Sequence, residues 1–433
     1  MYLTTKTPEK YWVLDIETDD LDASVIWCCV VRNLKDRDNV KVFTDAESFN
    51  SWLDSEFIFI GHNALSFDVP VIRRLWGSKI RSSRVVDTLV LSQLYYPAIV
   101  GGHSLDAWGE RLKVPKSDFS DWSEYTEEML EYCKQDTLVT NELYIKLSDR
   151  MASRGYSEQS CLIEHRFRVI INKQQENGFK FDREGAIRLK DELRELASSL
   201  ETTIQKLFPP ILKPVGSYKF RVRADGTPYA SFSRHKTEYP KLEFTHGGAQ
   251  YTVYDWEEFN IGSPQQRVER LLEHGWKPTK FTKRTPKGGG GNPQADEESI
   301  LEYAGETSLP EIQAIADWLV CNGRANMIDT WLNNLYDDDC IHGKVMSCGA
   351  ASRRCTHSSP NTANIPSIDA KYGHECRSLW TARPGRVLVG VDAKSLEALL
   401  FAHFLGGQQE HIDYMMGDTH TDRDWETKGP QET

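Results

Sequence analysis

The 433-residue chain carries 52 Lys and Arg against 64 Asp and Glu, a net charge of −12, with 39% hydrophobic and 11% aromatic residues; this excludes disorder over most of its length and, at about 150 residues per domain, allows about three domains. No run approaches the ~18 apolar residues of a membrane span, the longest strong one being 25–31, and the N-terminus lacks the apolar stretch of a secretory signal. Nine scattered cysteines without CxxC spacing read as free core thiols in a reducing compartment, while the acidic balance leaves nucleic acid open as a partner, since local patches decide binding.

In chain order, residues 11–18, 25–33, 39–44 and 57–62 are short apolar or β-branched runs and predict strands. Helical patterns follow over 46–53, 66–76, 104–112 and 124–147. Strands followed by alternating helices give an α/β domain of about 150 residues. Leu193, Leu196, Leu200, Ile204 and Leu207 recur at helical spacing in a long amphipathic helix that stops at Pro209-Pro210. Residues 208–260 are rich in Pro, Gly, Tyr and Phe and read as an irregular β-rich insertion. A helix over 264–274 precedes a basic stretch, 277–287, that ends in glycines and is expected to be a mobile loop. Helical segments return over 311–335. The run 387–391 predicts a buried strand, and 396–404 a helix.

Three carboxylate motifs stand out. In Asp15-Ile16-Glu17 the alternation of a strand puts both acids on one face, a candidate divalent-cation site. Read alone, such a pair is more often the punctuation of a strand end. Asp68 follows a strand in Gly61-His62-Asn63-Ala64-Leu65-Ser66-Phe67-Asp68, where it can equally be a first-turn acid behind an N-cap at Ser66. Tyr132 and Asp136 are four apart on a helix and share a face, either beside a cation or as an interfacial Tyr with an exposed Asp.

Taken together, the acidic pair, the Asp at a helix start and the Tyr-x-x-x-Asp resemble the three exonuclease motifs of the DEDD superfamily in its Tyr-containing (DEDDy) branch. The resemblance implies an RNase H-like domain with a mixed sheet flanked by helices, and two Mg²⁺ or Mn²⁺ ions acting in phosphodiester hydrolysis. It implies Asp15, Glu17 and Asp136 on the first ion, Asp15 and Asp68 on the second, and Tyr132 positioning the nucleophile.

Further along, Gly349-Ala350-Ala351-Ser352-Arg353-Arg354, the run Pro360-Asn361-Thr362-Ala363-Asn364-Ile365-Pro366 and Val389-Gly390-Val391-Asp392-Ala393-Lys394-Ser395-Leu396-Glu397 resemble blocks of the T7-like phage family A DNA polymerases. Gly102-His103-Ser104-Leu105-Asp106, Glu176-Asn177-Gly178-Phe179, Gly275-Trp276-Lys277-Pro278 and Gly417-Asp418-Thr419-His420 add to the likeness, which runs through nearly the whole chain. It implies that Asp392 is a catalytic, metal-binding residue and that Glu397 packs against the nucleotide sugar. Arg353, Arg354, Asn361 and Asn364 would line a primer–template duplex, with guanidinium groups for phosphates and amides for the minor groove. In the basic stretch, Lys280, Lys283 and Arg284 are either DNA backbone contacts or a solvated loop. Cys340, His342, Cys348, Cys355 and His357 fit no zinc spacing.

The implied organisation is an exonuclease domain at 1–150, a mostly helical thumb at 151–335 holding the insertion at 208–260, and a partial α+β palm at 336–433. Two positions depart from the family, Leu399 standing where it carries Arg and Lys394 where it carries a small polar residue. The fingers and the second catalytic block do not follow, so the expectation is an N-terminal portion with a complete exonuclease that does not polymerise DNA alone. Alternatives are a stand-alone exonuclease with a DNA-gripping remnant, and a non-catalytic DNA-binding subunit. The implied partners are primer–template DNA, single-stranded 3′ ends and a separate chain supplying the missing blocks. The insertion at 208–260 is short and lacks a lysine-rich run, so a thioredoxin-like processivity factor is not expected. No membrane is implied, and the location is the bacterial host cytoplasm.

Overall fold

A computed structural model describes residues 1–433 except 4, 115–118, 246, 284–290, 394 and 405–433. The chain divides into two compact units, Met1–Trp380 and Thr381–Thr433.

The first unit opens with five strands, β1 (Tyr11–Thr18), β2 (Ile26–Asn33), β3 (Val40–Phe43), β4 (Ile58–Gly61) and β5 (Val85–Asp87), in the order β3-β2-β1-β4-β5. β1 runs antiparallel to β2 and parallel to β4, which pairs in parallel with β5. The sheet is therefore mixed. Its pleat sorts β1 into two faces. Trp12, Leu14 and Ile16 pack with Phe49 of α1 (Ala46–Trp52) and with Val69 and Ile72 of α2 (Asp68–Trp76). Tyr11 and Val13 pack on the other side with residues of α3 (Thr88–Tyr95), α4 (Leu105–Leu112) and α5 (Glu127–Ser153). Asp15 and Glu17 follow that second parity, which directs them toward α5.

Next come α6 (Glu158–Asn177) and β6 (Phe179–Phe181). Buried and half-buried polar groups of α6 fasten it to the strand-end loops before it. His165 Nε2 accepts from the Asp87 amide at 2.9 Å, Asn172 Nδ2 donates to Leu65 O at 2.7 Å and Arg168 donates to Gln93 Oε1 at 3.2 Å. Arg168 also donates to Val345 O at 3.3 Å, far along the chain.

The long helix expected through Leu193–Leu207 is α7 (Arg183–Leu207), ending before Pro209. Residues 208–260 are β-rich as expected but not irregular. β7 (Ile211–Lys219), α8 (Ala230–Glu238), β8 (Lys241–Phe244) and β9 (Gln250–Glu257) make a three-stranded antiparallel sheet in the order β7-β9-β8. Phe220, Phe232, Phe244 and Tyr251 cluster edge-to-face against it, and this aromatic packing gives the segment regular structure despite its Pro and Gly.

α9 (Pro264–Glu273), α10 (Glu297–Thr307) and α11 (Pro310–Asn333) complete a helical core with α7. Trp331 is its largest fully enclosed side chain, lying edge-on to Phe181 and Trp380. β10 (Cys340–Ile341) pairs with β6, β11 (Lys344–Met346) pairs with β12 (Thr356–Ser358), and α12 (Gly373–Ser378) follows.

In the second unit α13 (Leu396–Phe404) forms where a helix was expected. The run 387–391 is not the buried strand its apolarity predicts. It has no strand pairing among the described residues, and Val387, Val389 and Val391 are 79%, 80% and 93% exposed. An apolar run becomes an inner strand only where neighbours accept its hydrogen bonds and cover its faces.

Candidate functional site

The site is built from the ends of β1, β4 and β5 and from α5. In register, Asp15 faces Val30 and Glu17 faces Cys28 of β2, and Cys28 and Val30 pack with Leu130 and Cys133 of α5. This packing fixes α5 over the two acids. Cys133 Sγ donates to Asp15 Oδ2 at 3.4 Å, and single ligand atoms of Asp15, Glu17 and Cys133 lie within 4.8 Å of one another. Asp136 is on the next turn of α5 and is buried.

Asp68 is the first residue of α2, an acid in the opening turn as its position suggests, but the residue before the helix is Phe67 and not Ser66, whose Oγ donates to Asn172 instead. The Asp68 carboxyl accepts from its own amide and from the amide of Ile16, between Asp15 and Glu17. The turn leading to it is tightly wound. A Cβ on Gly61 would meet the Ala64 Cβ at 2.4 Å, so only glycine fits there. Asp87 clamps the same turn, its carboxylate accepting from the amides of Asn63, Leu65 and Leu89 at 2.9 to 3.0 Å.

Glu17, Asp68 and Asp136 are only 7%, 4% and 5% exposed. Burial, with the charges of Asp87 and Asp136 added, pushes the Asp68 carboxyl from 3.8 up to about 7 despite its amide hydrogen bonds. Buried acids that face one another resist ionising together unless a cation joins them. The oxygen-rich donor set suits a hard divalent ion such as Mg²⁺ or Mn²⁺. Tyr132 is half-buried, one helical turn from Asp136, with its ring 5.8 Å from that of Phe119 and 5.7 Å from that of Trp122. Trp27 Nε1 donates to Trp122 O and ties this aromatic group to β2.

Sequence reasoning missed Cys133 and Asp87. The first is visible only as the residue after Tyr132. The second carries a signal in Val85-Val86-Asp87-Thr88, a β-branched pair ending in an Asp that caps α3.

The other predicted residues lie elsewhere. Arg353 is exposed, but its guanidinium donates to Leu94 O at 3.2 Å and to Tyr156 Oη at 3.0 Å, bonds a phosphate would have to displace. Arg354, Asn361 and Asn364 are exposed, Asn361 Oδ1 accepting from the Ala363 amide. Within the described part of the basic stretch, Phe281 bridges Pro293 and Lys280 pairs with Asp296, at 3.2 Å, and with Glu298. Lys283 is exposed, while Arg284, Lys394 and residues 417–420 lie outside the described residues. In the second unit, Asp392 and Glu397 are exposed, Glu397 in the first turn of α13. All nine cysteines are free, and Cys340, His342, Cys348, Cys355 and His357 form no candidate cation cluster among the described residues.

Comparison with known proteins defines the class. Residues 241–420 match the profile of DNA polymerase family A. The chain is similar to the DNA-directed DNA polymerase of Escherichia phage T7, at 29% identity over 94% of this chain and 72% of that protein. It is likewise similar to that of Enterobacteria phage T3, at 29% identity over 84% of this chain and 64% of the relative. DNA polymerase I of Helicobacter pylori (strain J99 / ATCC 700824) is 26% identical over 80% of this chain, which spans about a third of it. Among solved structures, the POL domain of Pol1 from M. smegmatis, in complex with DNA primer-template and dNTP, has the same fold. Its TM-score is 0.59 at 15% identity, covering 94% of this chain and 66% of that one. No helix among the described residues is long and apolar enough to cross a membrane.

Proposed function

We propose that the α/β domain is an RNase H-like 3′–5′ exonuclease of the DEDDy type, acting on single-stranded DNA ends within a family A polymerase homologue. The observation that carries this reading is the ligand-spaced pair of Asp15 and Glu17 on β1, with the buried Asp68 and Asp136, on two other elements far along the chain, close enough for their charges to interact with each other. Asp15, Glu17 and Asp136 would hold one divalent ion, and Asp15 and Asp68 a second. When bound, such a pair lowers the pKa of water and stabilises the leaving oxygen of an in-line displacement.

The chain's own residues do the remaining work. The Ile16 amide and the Asp87 clamp on the preceding turn orient the Asp68 carboxyl before any ion arrives. The rings of Phe119 and Trp122 restrict Tyr132, whose phenol then directs the attacking water or the scissile phosphate. The same rings offer a stacking surface for unpaired terminal bases.

The division of labour that goes with this reading is an exonuclease at 1–150, a thumb at 151–335 and a palm at 336–433. There Asp392 serves nucleotidyl transfer, Glu397 the nucleotide sugar, and Arg354, Asn361, Asn364 and Lys283 the primer–template. The location would be the host cytoplasm, as for a phage replication protein.

The test is release of labelled 3′-terminal nucleotides from a single strand with Mg²⁺ or Mn²⁺, by the wild type and by the Asp15→Ala, Glu17→Ala double variant. Release by the wild type alone is expected. Equal release by both proteins, or by neither, removes the assigned site. Gel-shift with a primer–template checks the DNA surface, with Arg354→Ala, Asn364→Ala expected to bind more weakly.

A further inference from the structure

Four carboxylates and a tyrosine account for the proposed nuclease but leave a thiol in their midst unexplained. Cys133 is fully buried, hydrogen-bonded to Asp15 and grouped with Asp15 and Glu17 at ligand spacing. A second thiol, Cys28, lies opposite Glu17 and hydrogen-bonds to Cys133. Two oxygens and a sulfur are a poor set for Mg²⁺, which takes an octahedron of oxygens, whereas thiolate selects zinc-like ions. The dimensions agree. A tetrahedral centre with Zn–S of about 2.3 Å and Zn–O of about 2.1 Å has ligand-to-ligand edges of about 3.5 Å, and the Cys133–Asp15 separation is 3.4 Å. Asp15 is half-buried, so an ion can reach the donors from solvent.

We propose that Asp15, Glu17 and Cys133 form a binding site for a thiophilic divalent cation of the zinc class, with the Cys133 sulfur as one ligand. The proposal rests on the reading of Asp15 and Glu17 as metal ligands. On binding, the S–H proton leaves to solvent and the sulfur bonds the cation, exchanging its hydrogen bond to Asp15 for a shared ion. Because Asp15 also serves the oxygen-ligated ions, a zinc-class cation displaces them. It is therefore expected to inhibit the nuclease in a way that excess Mg²⁺ reverses poorly, as relative affinities for divalent ions dictate.

The experiment titrates the full chain with Cd²⁺ under a non-chelating reductant and follows the ultraviolet thiolate-to-metal charge-transfer band. The proteins are the wild type, Cys133→Ser, Cys28→Ser and the Asp15→Asn, Glu17→Gln double variant, each checked by far-ultraviolet circular dichroism. In the wild type the band is expected to saturate near one equivalent. It should be lost in Cys133→Ser, remain in Cys28→Ser and need ~10-fold or more Cd²⁺ in the carboxylate variant. A band of unchanged strength in Cys133→Ser, or no tight band in the wild type, overturns the proposal. Should Cys133→Ser not fold, the carboxylate variant, which keeps every cysteine, decides alone, and unchanged Cd²⁺ affinity there overturns it. Mg²⁺-dependent nuclease assays on the same wild-type sample separate the two readings. Nuclease without a tight band sinks only the thiol ligand, and a tight band without nuclease sinks only the enzyme assignment.

Discussion

Asp68→Asn is expected to stabilise the cation-free protein above neutral pH and to leave it nearly unchanged in acid. The folded-state carboxyl titrates at about 7 against 3.8 for the ordinary group. The folded protein therefore keeps a proton that the unfolded chain has already released. Stability from that proton is fully present below about pH 4, declines as pH rises and is gone above about pH 7. Three pH units at 1.36 kcal/mol each give about 4 kcal/mol, an upper bound because Asp87 and Asp136 share the shift. The amide that replaces the carboxyl carries no charge at any pH, and its oxygen can still accept from Ile16. Urea unfolding with EDTA at pH 4, 6 and 8 should show a gap between variant and wild type that opens with pH. Adding Mn²⁺ at pH 8 should then favour the wild type, by about 3 kcal/mol at a hundred times its dissociation constant. A gap that is the same at pH 4 and pH 8, or a variant weaker than wild type at pH 8 in EDTA, refutes the argument.

Two further outcomes test the helical core. Trp331→Ala should lower stability by about 3–5 kcal/mol in denaturant titration, since the indole is enclosed among Phe181, Trp380 and the α7–α11 contact. Glu297→Ala removes the carboxylate that accepts from Arg324 Nη2 at 2.8 Å and leaves that cation 9% exposed without it. A loss of about 3 kcal/mol is expected, recovered in part by Arg324→Met, Glu297→Ala.

The parts of the fold that follow from local periodicity were legible in the sequence. β1 to β4, α1, α2, α4, α9, α11 and α13 lie within a few residues of their patterns, because each carries its own apolar stripe or alternation, while α7 begins ten residues before its pattern and α5 runs six beyond it. The misses have different causes. β5, at Val85–Asp87, is too short to display a period, and α3, at Thr88–Tyr95, is buried on nearly every side and so carries no polar face to mark one. α6 is held by His165, Arg168 and Asn172, polar side chains that look from the sequence like an exposed face but are engaged in tertiary hydrogen bonds. The run 387–391 fails the other way, since apolarity there says only what could be buried. For the candidate site, Asp15 and Glu17 were readable from strand parity, and Asp136 from its helical offset to Tyr132. That Asp68 reaches the Ile16 amide, and that Cys133 enters the group, depends on how α2 and α5 dock on the sheet. No spacing encodes that.

The way α6 is bolted down has a mechanical consequence. His165 is held neutral, its pKa brought down to about 4 by burial, so its bond to the Asp87 amide survives the whole physiological pH range. Together with Arg168 on Val345 and Asn172 on Leu65, it makes this helix a rigid strut between the turn that aims Asp68 and the β11–β12 ribbon. Swinging one against the other would break two buried bonds and one half-buried bond at once. Under the proposed nuclease reading, the carboxylates therefore sit on a fixed frame, and it is the nucleic acid strand that must deform to reach them.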